Sequence, residues 1–444
     1  MYPWHQRLNA WAESTGLRID ALGLVTLLGA EEMDRYVGRL MPSQCFDYLP
    51  LLGAFTVAGN RFTEKKTGYS LYNISAGITT GELAGWFSRW LQAQHFHKVR
   101  SKVTWEIVDR PHRWRPLFIN LFIGVSLQGM LIAMTVLGAD WWGFANAMAM
   151  VISVVVRCAQ VAENQAGIDE NIRTAEKEVE ENWSKYEQDK ARIESCRDQS
   201  NLCAEIKEPV APRDRDHVKA IVITVDSRVV TIDAPGFLVK PAFTSNPHIP
   251  HPLFYLTCRI MGWIAFAVHV ISIGMSALHT QIYSVVLIIV STVLAAYRVG
   301  CQDSQIGGFL WKKLYDADDE DNGDNEWNCW VTSRLKATVS SYPVGHTLWD
   351  SNASKVRQVT ERTYTWPRGP WNRGNTLTDL EHSALASELP IIRERRQDLF
   401  AWLNLTDVED DRLIAWGLIP HSQEWMDVYR EKKKTHRRRT GIEV

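Results

Sequence analysis

The chain has 444 residues, of which 45% are hydrophobic and 23% charged, with a formal net charge of −2; as an average this describes two or three soluble domains. The near-neutral balance leaves no basic surplus for nucleic acid, and no nucleic-acid partner is expected. Apolar residues are nevertheless gathered into long blocks, which excludes a wholly soluble reading.

Residues 1–20 carry no continuous apolar core, so targeting is expected from the first membrane segment rather than from a signal peptide. Residues 21–29 and 48–58 are apolar but too short to span, and read as the core of a small N-terminal domain. Leu83, Trp86, Phe87, Trp90 and Leu91 share one helical face. With Arg89 as the only base in this helix, the stripe is expected to pack against its own domain rather than lie in a membrane interface. Val103, Trp105 and Ile107 alternate as a strand does.

A motif then appears twice. Pro111-His112-Arg113-Trp114-Arg115-Pro116-Leu117-Phe118 and Pro247-His248-Ile249-Pro250-His251-Pro252-Leu253-Phe254 share the spacing P-H-x-x-x-P-L-F. Each opens an apolar hairpin. The first has arms 117–137 and 141–156, broken at Gly138-Ala139-Asp140; the second has arms 253–277 and 282–297, broken at Leu278-His279-Thr280-Gln281. A return arm of 16 residues gives roughly 24 Å against a hydrocarbon core of about 30 Å, so Arg157 and Arg298 are expected to snorkel to the interface. The expected fold is an integral membrane α-helical protein: two duplicated transmembrane helical hairpins, four helices in all, with cytoplasmic α+β soluble regions.

The basic residues flank the outer ends of the hairpins, while the short breaks carry no Lys or Arg. That asymmetry places both termini and the central segment in the cytoplasm. Trp114, Arg115, Trp141, Trp142, Arg157 and Arg298 are the expected membrane-interface residues. The resulting organisation is an N-terminal cytoplasmic region (1–110), hairpin 1 (111–157), a cytoplasmic helix plus β-hairpin (158–246), hairpin 2 (247–298) and a C-terminal cytoplasmic region (299–444).

Between the hairpins, residues 168–208 lack Gly and Pro, and Ile172, Ala175, Val179, Asn182, Tyr186, Asp189, Ile193 and Cys196 form a heptad-spaced seam. Two readings stand side by side, a homo-oligomer joined through this helix and a solvated helix packed on a neighbouring domain. Residues 218–233 read as a β-hairpin around Asp226-Ser227, so strand material precedes each membrane hairpin and the two copies are expected to share one sheet. Asp316 to Glu326 reads as an acidic linker; a calcium loop aligned on Gly323 would put Cys329 where a bidentate Glu is needed. Thr406 to Glu409 has capping-box spacing, and the tail bears Lys432, Lys433, Lys434, Arg437, Arg438 and Arg439, a cluster expected to attract anionic lipid.

No Walker loop, G-x-G-x-x-G, G-x-S-x-G, H-E-x-x-H or paired C-x-x-C occurs, and no cofactor is implied. His95, His97, His112, His248 and His251 are weak metal candidates, because no spacing fixes a tetrahedral site. The polar residues within the spans are Asn120, Gln128, Asn146, Arg259 and His269; such groups face a bundle interior or an aqueous path. The absence of an intramembrane carboxylate pair argues against prenyl-transfer or proton-driven cyclisation chemistry.

The residues at 114–118 and 140–146, Trp114-Arg115-Pro116-Leu117-Phe118 and Asp140-Trp141-Trp142-Gly143-Phe144-Ala145-Asn146, resemble uncharacterised multi-pass membrane proteins of filamentous fungi. The resemblance covers mainly the first hairpin and implies no activity. Three functional readings follow: an oligomeric channel or transport component, a hairpin-inserting membrane scaffold, and a membrane enzyme built on the juxtamembrane histidines.

Overall fold

The computed structural model describes residues 7, 10, 30–41, 43, 45–51, 57–94, 96, 98–110, 114–199, 211–212, 214–301, 327–342 and 395–440. The acidic linker 316–326 and the histidines His95, His97 and His112 lie outside the described residues.

The N-terminal part supplies α1 (Ala30–Gly38), β1 (Ser70–Asn73), β2 (Ile78–Thr80), α2 (Gly85–Ala93) and β3 (Ser101–Ile107). The apolar stripe on α2 is buried, with Phe87 and Trp90 at 0% exposure, against Trp105 of β3 and Phe243. Rings at these separations contribute about 0.5–1.5 kcal/mol per pair beyond their burial. Arg89 turns inward as well, and its charge is met by Asp34 of α1 at 2.8 Å.

Two helices follow, α3 (Trp114–Leu137) and α4 (Trp141–Gln199). Next come β4 (His217–Ile223) and β5 (Val229–Pro235), a short irregular helical stretch over 236–244, then α5 (Pro252–Met275) and α6 (Leu278–Ala296). Four of the described helices, α3 to α6, are long and apolar enough to cross a membrane. Their outward faces expose large apolar groups, among them Phe122 at 74%, Leu253 at 80% and Ile271 at 61%. Trp141 and Trp142 are exposed at one end of the bundle, Trp114 and Tyr297 at the other.

Two expectations about the hairpins change. The apolar arm that was to end at Arg157 continues unbroken through the residues that follow, forming one helix of 59 residues, about 88 Å long. A single buried Arg interrupts apolarity but not helix propensity, and 158–199 hold only Gly167 and no Pro. The boundary expected at 157/158 therefore falls inside one helix. In the second hairpin Leu278 to Gln281 are helical, so the return arm α6 has 19 residues.

β6 (Trp327–Trp330) and β7 (Leu335–Ser341) complete a mixed sheet of seven strands in the order β2-β1-β4-β5-β3-β7-β6. β3 and β5, the strands leading toward the two hairpins, lie side by side and parallel, Val103 opposite Ile232; the other pairs are antiparallel. Both faces of the sheet are covered. Val222, Val230 and Ile232 face the core of α2 and α4. Ile221 and Val229 face α7 (Arg396–Trp402), α8 (Asp407–Ala415) and α9 (Gln423–Thr440). Burial on both faces explains the nearly continuous apolar runs of β4 and β5.

α4 ties this unit to the bundle. Beyond the apolar part, Asp169 accepts bonds from Thr332 and Ser333 in the β6–β7 turn, both at 2.5 Å, and Glu176 pairs with Arg334 at 2.9 Å. The heptad seam is used unevenly: Ile172 joins the protein's own core and Val179 is buried, while Asn182 and Asp189 are exposed. The basic tail is also partly consumed. Lys432 is bonded to Asp398 and Lys433 to Asp410, both lysines being buried, and Arg437 donates to Asn404.

Candidate functional site

Of the stretch 48–58 expected to form N-terminal core, Leu51 and Val57 pack into that core, whereas Leu49, with the neighbouring Phe46, lies against the apolar helices. Asn120 of α3 donates to the carbonyl of Ser43 and accepts from the backbone N–H of Asp47, each at 2.9 Å. Gln128 donates to the carbonyl of Tyr48 at 2.6 Å, and Arg157 of α4 donates to the carbonyl of Asp47. Asn120, Gly124 and Gln128 recur every four residues and so lie on one face. Gly124 is required there: a Cβ would come within 2.7 Å of Tyr48 Cβ and 3.0 Å of its carbonyl oxygen. Gly124 and Gln128 stand about 15 and 21 Å along α3 from Trp114, near its middle. Leu49 joins an apolar cluster with Leu131, Ala147, Met150, Leu287 and Ile288.

At residues 57–60, Arg259 of α5 donates to the carbonyl of Ala58 at 3.3 Å. Asn60 accepts from the hydroxyl of Tyr255, which itself accepts from Asn164 of α4 at 3.1 Å. Of the five polar residues expected within the spans, Asn120 and Gln128, together with Arg157, thus hold non-helical backbone at Ser43, Asp47 and Tyr48, and Arg259 holds a helical carbonyl at Ala58. Their partners are carbonyls and an N–H that a dry apolar surround would leave unpaired at several kcal/mol each.

The other two, Asn146 and His269, meet each other. His269 Nδ1 lies 2.6 Å from Asn146 Oδ1, and Asn146 Nδ2 donates to Ser284 Oγ at 2.9 Å. Because an amide oxygen only accepts, the proton of this bond belongs to His269 Nδ1. The cluster links α4, α5 and α6 and is buried. Below it on the same face of α4 come Arg157, Gln160 and Asn164, all buried.

At the loop end, Asp140 joins the hairpins: one carboxylate oxygen accepts from the N–H of Ala277 at 2.9 Å and from Thr280 at 2.8 Å, the other from the N–H of Gly143 at 2.9 Å. Asp140, Gln160, Asn164, Tyr255, Ser284 and Asn60 were not singled out from sequence. Spacing along α4 at 146, 153, 157, 160 and 164 is the signal that groups most of its inward polar residues.

The described histidines do not assemble into a metal centre. His251 is exposed and faces Glu163 at 3.2 Å, while the backbone of His248 packs on Gly167. Among the described residues no three His, Cys, Asp or Glu side chains stand close enough to hold a metal ion. On the sheet, burial of Asp233 opposes its ionisation, but bonds from Lys102 at 2.9 Å and His217 at 3.0 Å outweigh it and hold the carboxyl below its ordinary range.

Comparison with family models, with curated proteins and with solved structures gives no match.

Proposed function

We propose that this chain is a non-enzymatic, multi-pass membrane protein whose four apolar helices and re-entrant segment 43–51 enclose a path for an ion or small solute. The observation that carries this reading is the seating of the segment by Asn120, Gln128 and Arg157 beside the middle of α3. Non-helical backbone is tolerated within a bilayer only where protein buries it or where it lines an aqueous cavity. Broken backbone at such depth, served by dedicated polar side chains, recurs where membrane proteins bind what they carry. The buried cluster of Asn146, His269 and Ser284 continues the polar face of α4 toward the loop end.

In this reading the sheet and both termini face the cytoplasm, since Arg110, Lys240 and Arg298 lie at the sheet end and the connecting loops carry no Lys or Arg. The bilayer is the first partner. Self-association would use α4 beyond Val179, where the helix is mostly exposed. Anionic lipid would meet Lys434 rather than the inward Lys432 and Lys433.

The test is flux of ions and small solutes through the purified protein in sealed liposomes, with His269→Leu alongside. A flux that changes several-fold with the substitution supports the path. No flux under a range of ionic and solute gradients overturns it.

A further inference from the structure

A cavity lies where the re-entrant segment meets α1 and α4. It is lined by Tyr36 of α1, by Asp47, and by Arg157 and Cys158 of α4, with Val37 and Val161 among its apolar walls, and it measures about 10 Å³, close to the least that takes one water. The backbone beside it is already engaged: Asn120 accepts from the N–H of Asp47 at 2.9 Å, and Arg157 donates to its carbonyl. Asn120 stands about 9 Å along α3 from Trp114, just inside the apolar length that starts at Leu117. Asp47 therefore sits at the sheet-side mouth of the bundle. Asp140, at the loop end, offers a contrast. Both of its carboxylate oxygens accept bonds, from Ala277, Thr280 and Gly143, which fixes it as a structural joint. Among the described residues the Asp47 carboxylate accepts no hydrogen bond and forms no ion pair.

The charges that act on this carboxylate are the guanidinium groups of Arg157 on α4 and Arg39 on α1. Arg39 is 0% exposed and tied to the carbonyl of Tyr36 at 3.3 Å and to Cys301 Sγ at 3.0 Å. Tyr36, Tyr48 and Cys158 are the neutral titratable groups around it. This setting selects among the species a path could take. A hard metal cation gathers about six oxygens, which the space of one water cannot supply, and two guanidinium groups repel it. An anion would meet the carboxylate. A proton needs no volume: the carboxylate takes it up to become the neutral acid and gives it back, and one water in the cavity can deliver and remove it. Ionisable groups set into an apolar bundle mark proton relays and ion pathways. We propose that Asp47 is a proton-binding site, loaded through this cavity from the sheet side. The proposal rests on the transport reading above and names the proton as the species the path takes.

The experiment uses the full chain in sealed liposomes with trapped pyranine, a pH-sensitive dye, and an inside-negative potassium diffusion potential that draws protons inward. The unmodified chain is expected to acidify the lumen several-fold faster than empty liposomes, and Asp47→Asn to fall to the level of empty liposomes. Asn keeps both backbone bonds of residue 47, so hydrogen exchange over residues 43–51 is expected to stay within about two-fold of the unmodified chain. Asp47→Glu restores the carboxylate and is expected to restore uptake, which keeps the test decisive even where Asn loosens the segment. Uptake in Asp47→Asn equal to that of the unmodified chain overturns the proposal, as does Asp47→Glu no more active than Asp47→Asn. Parallel flux of other ions and small solutes separates the two claims. Passage of these without proton uptake overturns the proton site and leaves the transport reading standing; no flux of any species overturns both.

Discussion

Replacing Asn120 by Leu, which has the same number of side-chain heavy atoms, removes the polar groups that serve both the Ser43 carbonyl and the Asp47 N–H at 2.9 Å each. Two backbone groups are left without partners beside an apolar helix, at about 1–3 kcal/mol apiece. A loss of about 2–6 kcal/mol is therefore expected, and it falls on the seat of the segment rather than on the helices, which keep their own bonds. Even 2 kcal/mol shifts the opening equilibrium by about thirty-fold. Hydrogen exchange of the nanodisc-embedded protein reads this directly. Exchange over residues 43–51 is expected to rise at least that much in Asn120→Leu, with α3 unchanged. Phe122→Leu, at a position 74% exposed, is expected to leave it unaltered. Exchange in Asn120→Leu within about two-fold of the unmodified protein would refute the argument that these bonds hold the segment.

Asp140→Ala removes the acceptor that joins the two hairpin ends; a loss of about 2–4 kcal/mol is expected as a lowered melting temperature, with Asp140→Asn recovering part of it through its remaining oxygen. Asp398→Ala strands the buried Lys432 and is expected to cost about 3–5 kcal/mol in unfolding of the C-terminal helices, read by protease sensitivity, whereas Asp398→Leu with Lys432→Leu restores most of it. Asp233 supplies a pH dependence. Its folded pKa lies below the unfolded value, so its contribution is complete above about pH 4 and is lost as pH falls through the lower folded pKa. Lys102→Met removes the bond at 2.9 Å, and is expected to flatten the acid limb of the stability curve measured by thermal melts between pH 3 and 7, buffers chosen at roughly unit steps.

Much of the architecture was written in local patterns. Uninterrupted apolar length marks α3 and α5 because lipid imposes a minimum span, and alternation at Val103, Trp105 and Ile107 marks β3. The α2 stripe was legible as core because a single Arg made an interfacial helix unreasonable; the structure then shows Arg89 itself drawn inward by Asp34. What escaped the sequence depends on partners far along the chain. Residues 43–51 are short and interrupted by Pro50, which is how a loop in a small domain also looks. Nothing local ties them to Asn120 or Gln128, more than 70 positions away. Asn146 and His269 were visible singly as polar groups in apolar runs, but Ser284 is an ordinary helix residue until the bundle places it against Asn146. Arg157 misled because an arginine ending an apolar run resembles a helix boundary; here it satisfies a carbonyl inside an uninterrupted helix.

The measurement that bears most directly on the account is photo-crosslinking of the membrane-embedded protein with benzoylphenylalanine in place of Tyr48. The account predicts crosslinked peptides from residues 114–137, centred near Gly124 and Gln128. Crosslinks confined to lipid, or to the sheet and its covering helices, would contradict it by placing the segment outside the bundle.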